Sequence, residues 1–365
     1  MNVLLASSEV FPYSKTGGLA DMVGALGKAL ADAGHNVATV TPLYRGILEK
    51  FPKIERAHIE VDLPLGGMSR RSRIWSLKLR SNLAIYFVDQ ADFYNRAQLY
   101  VDAGRDYGDN AARFIYFSKC VVRLARVLPL QPEIVHVHDW QTGLAPLMIR
   151  HERRTSGWKD APASVLTIHN LAYQGMFAGG DYGLTNLPWD YFNPHGAEFH
   201  GHLNCLKAGI VYSDMITTVS PRYAREITTE QYGYGLEGVL RSRQDRLGGI
   251  LNGVDYTEWN TEKNPFLKFN YSSDSLDGKR SQKRALQEEM GLPIDETIPL
   301  FATVTRLADQ KGIDIQLPAL EEMLSSRMQF VLLGSGDPGF ERAFKDLAAR
   351  YPGKVAVRTG YDHGL

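Results

Sequence analysis

Short apolar runs, each the length of one buried strand, recur along this chain between longer amphipathic stretches, and that alternation leaves few folds open. Strands that pair in parallel need a crossover, usually a helix, so the rhythm is that of βαβ units covering both faces of a parallel sheet. Strands are expected at 3–7, 37–41, 83–88, 134–138, 165–168, 215–219, 247–251, 300–304, 330–333 and 355–357. Helices are expected at 19–33, 109–127, 143–151, 201–212, 221–227, 281–290, 313–325 and 339–351. The pattern loosens between Asn252 and Leu300 into a stretch rich in Asn, Ser, Asp, Lys and Gly, which marks a domain boundary near Trp259. The expected domains are 1–258 and 259–365, the second with three strands and therefore short of a complete doubly wound unit.

Charge excludes some function classes. Forty-one basic and 41 acidic side chains balance, so no global field draws the chain to nucleic acid or to an anionic membrane, and any anion must be met by a local site. No run reaches the roughly 18 apolar residues of a membrane span. Cys120 and Cys205 have no zinc or disulfide spacing and read as buried thiols, which suits a reducing cytoplasm. The N-terminal apolar run lacks the length and basic flank of a signal peptide.

Polar motifs stand where strands end. KTGGLAD, residues 15–21, lies between the first strand and a helix: Gly17 and Gly18 let the backbone approach a ligand, the helix N-terminus offers N–H groups, and Lys15 adds charge. It reads equally as a diphosphate cradle and as an ordinary strand-to-helix turn. HVHDWQTGLAP, residues 136–146, brings His138, Asp139 and Trp140 to a strand end, where open α/β sheets hold ligands. Strand pleating is expected to turn His136 and His138 apart, which disfavours a metal site. In LTIHNLAYQGMF, residues 166–177, His169 and Asn170 suit sugar hydroxyls and Tyr173 a sugar face, with a capping role for His169 the alternative. Asn252 lies in NGVD, which alone is a turn signal. HGAEFHGH, residues 195–202, has no metal-ligand spacing and reads as solvated or sugar-facing. Arg306 and Lys311 in TRLADQKG bring two cations to another strand end, suited to neutralising a leaving diphosphate without a metal. GSGDPG, residues 334–339, matches the dinucleotide fingerprint, but Arg358 and Thr359 stand where that reading wants an acid.

These motifs, together with HGHLNCLKAGIVYSDMITTVSPRYAREI, occur in the order and spacing of bacterial glycogen synthases and plastid starch synthases, and from Val3 to about Tyr361 the chain resembles that family. The resemblance implies a GT-B fold of two Rossmann-like domains facing a cleft. It implies a cytoplasmic glucosyltransferase that uses ADP-glucose and a glycogen or α-1,4-glucan primer, retains configuration, and needs neither metal nor cofactor. It further implies that Lys15, Gly17 and Gly18 meet the donor diphosphate. Asp139, His169 and Asn252 would line the glucose site, and Arg306 with Lys311 would stabilise departing ADP. Family members continue beyond this C-terminus through a Glu-Pro-Cys-Gly-Leu-like segment and a second Thr-Gly-Gly-Leu, so a truncated chain is expected. An inactive glucan-binding protein of the same fold is the alternative. Donor nucleotide preference and oligomeric state are not legible.

Overall fold

The computed structural model describes every residue except Ala103 and His363. The chain separates into two compact units, Met1–Gly253 and Val254–Leu365.

The first unit is organised by a nine-stranded sheet. In chain order its strands are β1 Asn2–Ala6, β2 Asn36–Pro42, β3 Glu55–Leu65, β4 Met68–Arg80 and β5 Leu83–Asp89, then β6 Ile134–His138, β7 Ala163–Ile168, β8 Met215–Thr218 and β9 Leu247–Gly249. Their spatial order is β9-β8-β7-β6-β1-β2-β5-β4-β3. All neighbours run parallel apart from the β3–β4 and β4–β5 pairs. The helix Gly18–Asp32 explains the tight β1–β2 crossover: Ala20, Val23, Gly27 and Ala31 form its buried stripe. A Cβ on Gly27 would sit 3.4 Å from Thr39 Oγ1 and 3.6 Å from Leu5, so glycine lets the helix lie close on the sheet.

Among the departures from the sequence expectation, two bear on the first unit's sheet and site. The hairpin β3–β4, turning through Gly66 at φ 61°, was not anticipated. The helix expected at 201–212 begins only at Cys205, because His202–Asn204 is a strand and Asn204 caps the helix by accepting from Lys207 N at 2.8 Å.

The strand order reverses at β1: the chain first builds outward through β2, then crosses by the buried helix Asn110–Val127 to add β6 on the other side. The C-terminal ends of β1, β6, β7, β8 and β9 therefore lie side by side, and the loops leaving them carry the polar motifs. That is the topological switch point at which parallel sheets bind ligands.

The second unit has three parallel strands, β10 Leu300–Val304, β11 Gln329–Gly334 and β12 Val355–Thr359, with β11 central and wholly buried. Its core includes Leu307, Ile313, Phe330, Phe344 and Leu347. The edge strand β10 leaves Phe301 and Val304 exposed. Among the described residues no helix is long and apolar enough to cross a membrane.

Candidate active site

Glu9 organises the loop that follows β1. Its carboxylate is buried and accepts from Thr16 N at 2.5 Å, Thr16 Oγ1 at 2.6 Å and Gly17 N at 3.3 Å, as well as from the Tyr100 hydroxyl at 2.7 Å. Four donors converging on one carboxylate hold KTGG in a single shape. Lys15 Nζ pairs with Asp21 Oδ1 at 2.8 Å and lies 5.4 Å from the Phe11 ring centroid. Gly17 is the extended N-cap of the helix Gly18–Asp32 and contributes no side-chain cap. A Cβ on Gly17 or Gly18 would meet nothing within 4 Å, so neither glycine is required by protein packing. Gly24, farther along the same helix, is different: a Cβ there would lie 2.7 Å from the Phe11 carbonyl oxygen.

The next two strand ends are locked to each other. Asp139 N donates to Thr167 O at 3.0 Å, and Asp139 Oδ1 accepts from His169 N at 2.7 Å. Asp139 sits at φ 56°, ψ −170°, backbone strain that a non-glycine residue bears only where the surroundings enforce it. Burial pushes its carboxyl up to about 7; the N–H groups of His169 and Asn170 oppose that rise and the nearby Glu9 carboxylate adds to it.

The expectation that His136 and His138 diverge is wrong. Residues i and i+2 of a strand share a face, and their ring centroids lie 4.4 Å apart. His136 Nε2 meets Thr167 Oγ1 at 2.6 Å, which meets Thr217 Oγ1 at 2.6 Å. His138 Nδ1 meets His169 Nε2 at 3.2 Å. Burial holds His136 and His169 down at about 4, and lowers His138 further with help from its two neighbours, so all three imidazoles are neutral at pH 7. Among the described residues no group of three or more His, Cys, Asp or Glu is placed to hold a metal ion.

Residues that sequence reasoning passed over support this frame. Tyr223 reaches from the helix Pro221–Glu226, and its hydroxyl accepts from Leu171 N at 3.0 Å, fixing the turn after β7. Gln174 donates to Tyr234 O at 3.0 Å and accepts from Asn204 Nδ2 at 2.6 Å. Lys207 is buried against Pro194 O at 2.6 Å and Glu198 O, and ties down the segment containing HGAEFHGH. His195, His200 and His202 of that segment are exposed, as is Tyr173. Asn252 is exposed in the loop leaving β9, where Ile250 N extends the ladder to Thr218 O at 2.8 Å.

In the second unit Arg306 and Lys311 are both exposed on the loop leaving β10, Lys311 in a single 3₁₀ turn closed by Gly312 at φ 67°. The first two glycines of GSGDPG, Gly334 and Gly336, pack against that loop. A Cβ on Gly334 would lie 2.1 Å from Thr305 O, and one on Gly336 2.2 Å from Leu307 O. The following helix, Pro338–Arg350, is capped by Asp337, which accepts from Gly339 N at 2.7 Å and Phe340 N at 3.2 Å. An acid already stands where a dinucleotide would place its pyrophosphate, and Arg358 is paired with Glu289 and Asp362.

Comparison with known proteins agrees with this frame. The starch synthase catalytic domain family matches residues 2–242. A glycogen synthase of Anaeromyxobacter sp. (strain Fw109-5) is 45% identical over 366 residues, covering 100% of this chain and 76% of the relative. One from Myxococcus xanthus (strain DK1622) is 46% identical over 369 residues with the same coverage. The solved catalytic domain of starch synthase IV from Arabidopsis thaliana, bound to ADP and acarbose, is 30% identical with a TM-score of 0.89, covering 100% of this chain and 76% of that one. Strand order, motif positions and full-length identity thus converge, and the chain belongs to the glycogen and starch synthase family of GT-B glycosyltransferases.

Proposed function

We propose that this chain transfers glucose from ADP-glucose to the non-reducing end of an α-1,4-glucan with retention of configuration. The observation that carries the donor assignment is the open space at Gly17 and Gly18. Glycines that neither relieve a clash nor adopt a positive φ are explained by a ligand that must approach the backbone, here at the N-terminus of a 15-residue helix beside Lys15. The diphosphate belongs there. Asp139, His169 and Asn252, on loops from β6, β7 and β9, supply the polar groups for the glucose, and the Arabidopsis relative's ADP and acarbose are ligands of the corresponding classes.

Arg306 and Lys311 act on the charge that develops as the sugar–phosphate bond breaks. Cations aimed at a leaving diphosphate stabilise the transition state more than the ground state, so their effect falls on kcat. The leaving phosphate then takes the proton of the incoming hydroxyl, and no metal is required.

Incubating this chain with radiolabelled ADP-glucose and glycogen, with UDP-glucose in parallel, tests the reading. Glucose should enter α-1,4-linked polymer from ADP-glucose and be insensitive to EDTA. Glycogen binding with no transfer from either nucleotide sugar would replace the transferase reading with that of a glucan-binding protein.

A further inference from the structure

The imidazole pair at the ends of β6 and β7 contains one atom that ordinary packing does not account for. His138 is fully buried, its Nδ1 faces His169 Nε2 at 3.2 Å, and its Nε2 is buried with no hydrogen-bond partner among the described residues. Each neutral ring carries one proton, and a hydrogen bond between the facing nitrogens requires that exactly one of the two bear it, so the choice propagates to the far side of each ring.

Two arrangements satisfy the contact. If His169 Nε2–H donates, His138 must carry its own proton on Nε2, and that N–H is buried with nothing to receive it. If His138 Nδ1–H donates, its Nε2 is a bare lone pair and His169 carries its proton on Nδ1. A buried N–H without an acceptor is the rarer and costlier outcome. We infer that His138 is a positioning residue: it donates Nδ1–H to His169 Nε2 and so fixes His169 as the Nδ1–H tautomer, which presents a hydrogen-bond donor to whatever occupies the site. Free histidine prefers the opposite tautomer, so the neighbour is what makes the difference. Asp139 secures the same residue from the backbone side through His169 N. Between them the two residues before the β6 loop determine both where His169 stands and which way its hydrogen bond points.

The consequence is one of specificity. A neutral Nδ1–H selects an acceptor, such as a hexose hydroxyl oxygen, and offers no lone pair to a donor-only group. This consequence rests on the reading of His169 as a glucose-site residue; the tautomer itself does not.

Long-range ¹H–¹⁵N correlation NMR on histidine-labelled protein reads the tautomer directly, with His169→Asn identifying the resonance. In the unsubstituted protein His169 should show a protonated Nδ1 and a bare Nε2. In His138→Leu it should shift to the Nε2–H form, and in His138→Asn, whose side-chain amide can put an N–H near the original Nδ1, it should return. A protonated Nε2 on His169 in the unsubstituted protein overturns the inference even if neither variant folds, and so does a His138→Leu protein with its His169 tautomer unchanged. Kinetics separate the second layer: kcat/KM for ADP-glucose should fall about tenfold in His138→Leu, the size of one lost hydrogen bond, and recover in His138→Asn. A tautomer that shifts without any change in kcat/KM would sustain the role of His138 and refute His169 as a glucose ligand.

Discussion

Asp139→Asn separates the cost of a buried charge from the value of the hydrogen bond it makes. Asp139 is only 9% exposed, and burial raises its carboxyl from 3.8 to about 7. A carboxyl that binds its proton more tightly in the folded than in the unfolded chain makes folding less favourable as pH rises from about 4, with the loss complete above about 7. Three pH units at about 1.4 kcal/mol each amount to about 4 kcal/mol, of which about 2 kcal/mol is lost between pH 5.5 and 8.5. The amide keeps an oxygen for His169 N–H, now at 2.7 Å from Oδ1, and never ionises. Its penalty is the weakened contact with Asn170 N–H, about 1 kcal/mol at every pH. The melting temperature of Asp139→Asn relative to the unsubstituted protein should therefore rise by about 4–8 °C between pH 5.5 and 8.5. Circular dichroism melts of both proteins at the two pH values measure that difference, and other titrating groups cancel because both proteins contain them. A difference independent of pH would show that Asp139 is ionised at no cost and refute the burial argument.

Two further sets of substitutions probe the remaining assignments. Gly24→Ala should cost about 2 kcal/mol, because its Cβ would lie 2.7 Å from a backbone oxygen, whereas Gly18→Ala should melt within a degree or so of the unsubstituted protein and raise KM for ADP-glucose about tenfold. Thermal melts and initial rates on the same samples check both, and an unchanged KM in Gly18→Ala would remove the diphosphate from that loop. Arg306→Ala and Lys311→Ala should each lower kcat about 10²–10³-fold while leaving glycogen affinity unchanged, as expected of groups that act on the leaving diphosphate. Loss of glycogen binding with kcat retained would move both cations to the acceptor side.

The parallel strands were legible because burial on both faces leaves a continuous apolar run, as in Val3, Leu4 and Leu5 or Phe330 to Leu333. The β3–β4 hairpin was missed, though half of it was legible. β3 alternates Ala57, Ile59, Val61, Leu63 and Leu65 with exposed positions, a plain period of two, but β4 sets Arg70, Ser72 and Ser76 at the positions that share a face with Ile74, which hides its own alternation. The start of the helix at Cys205 was available in Asn204, a cap residue, but the amphipathic run before it drew the helix too far forward. At the site, the residues that end strands announced themselves by chemistry, while those that hold them did not. Glu9 and Tyr100 are 91 positions apart and meet only because the chain returns across the switch point. The shared face of His136 and His138 was within reach of the sequence, since a strand's period is two.

The two glycine-rich turns show most clearly what a sequence can and cannot say. GSGDPG matches a known nucleotide fingerprint and KTGG does not, so pattern alone would send the nucleotide to the second unit. Under the proposed function the phosphates lie in the first unit instead, and the neighbours of each glycine support that reading. Gly334 and Gly336 are consumed by the protein itself, each needed because a carbonyl oxygen of the Thr305–Leu307 segment lies where a Cβ would be, and Asp337 already answers the N–H groups of the next helix. A Cβ on Gly17 or Gly18 would meet nothing in the protein, while the buried Glu9 takes up the N–H groups of Thr16 and Gly17 and no side chain caps the helix that follows. A glycine is informative about a ligand only after its own neighbours have been excluded as the reason for it, and in this chain that test separates two motifs that composition treats alike.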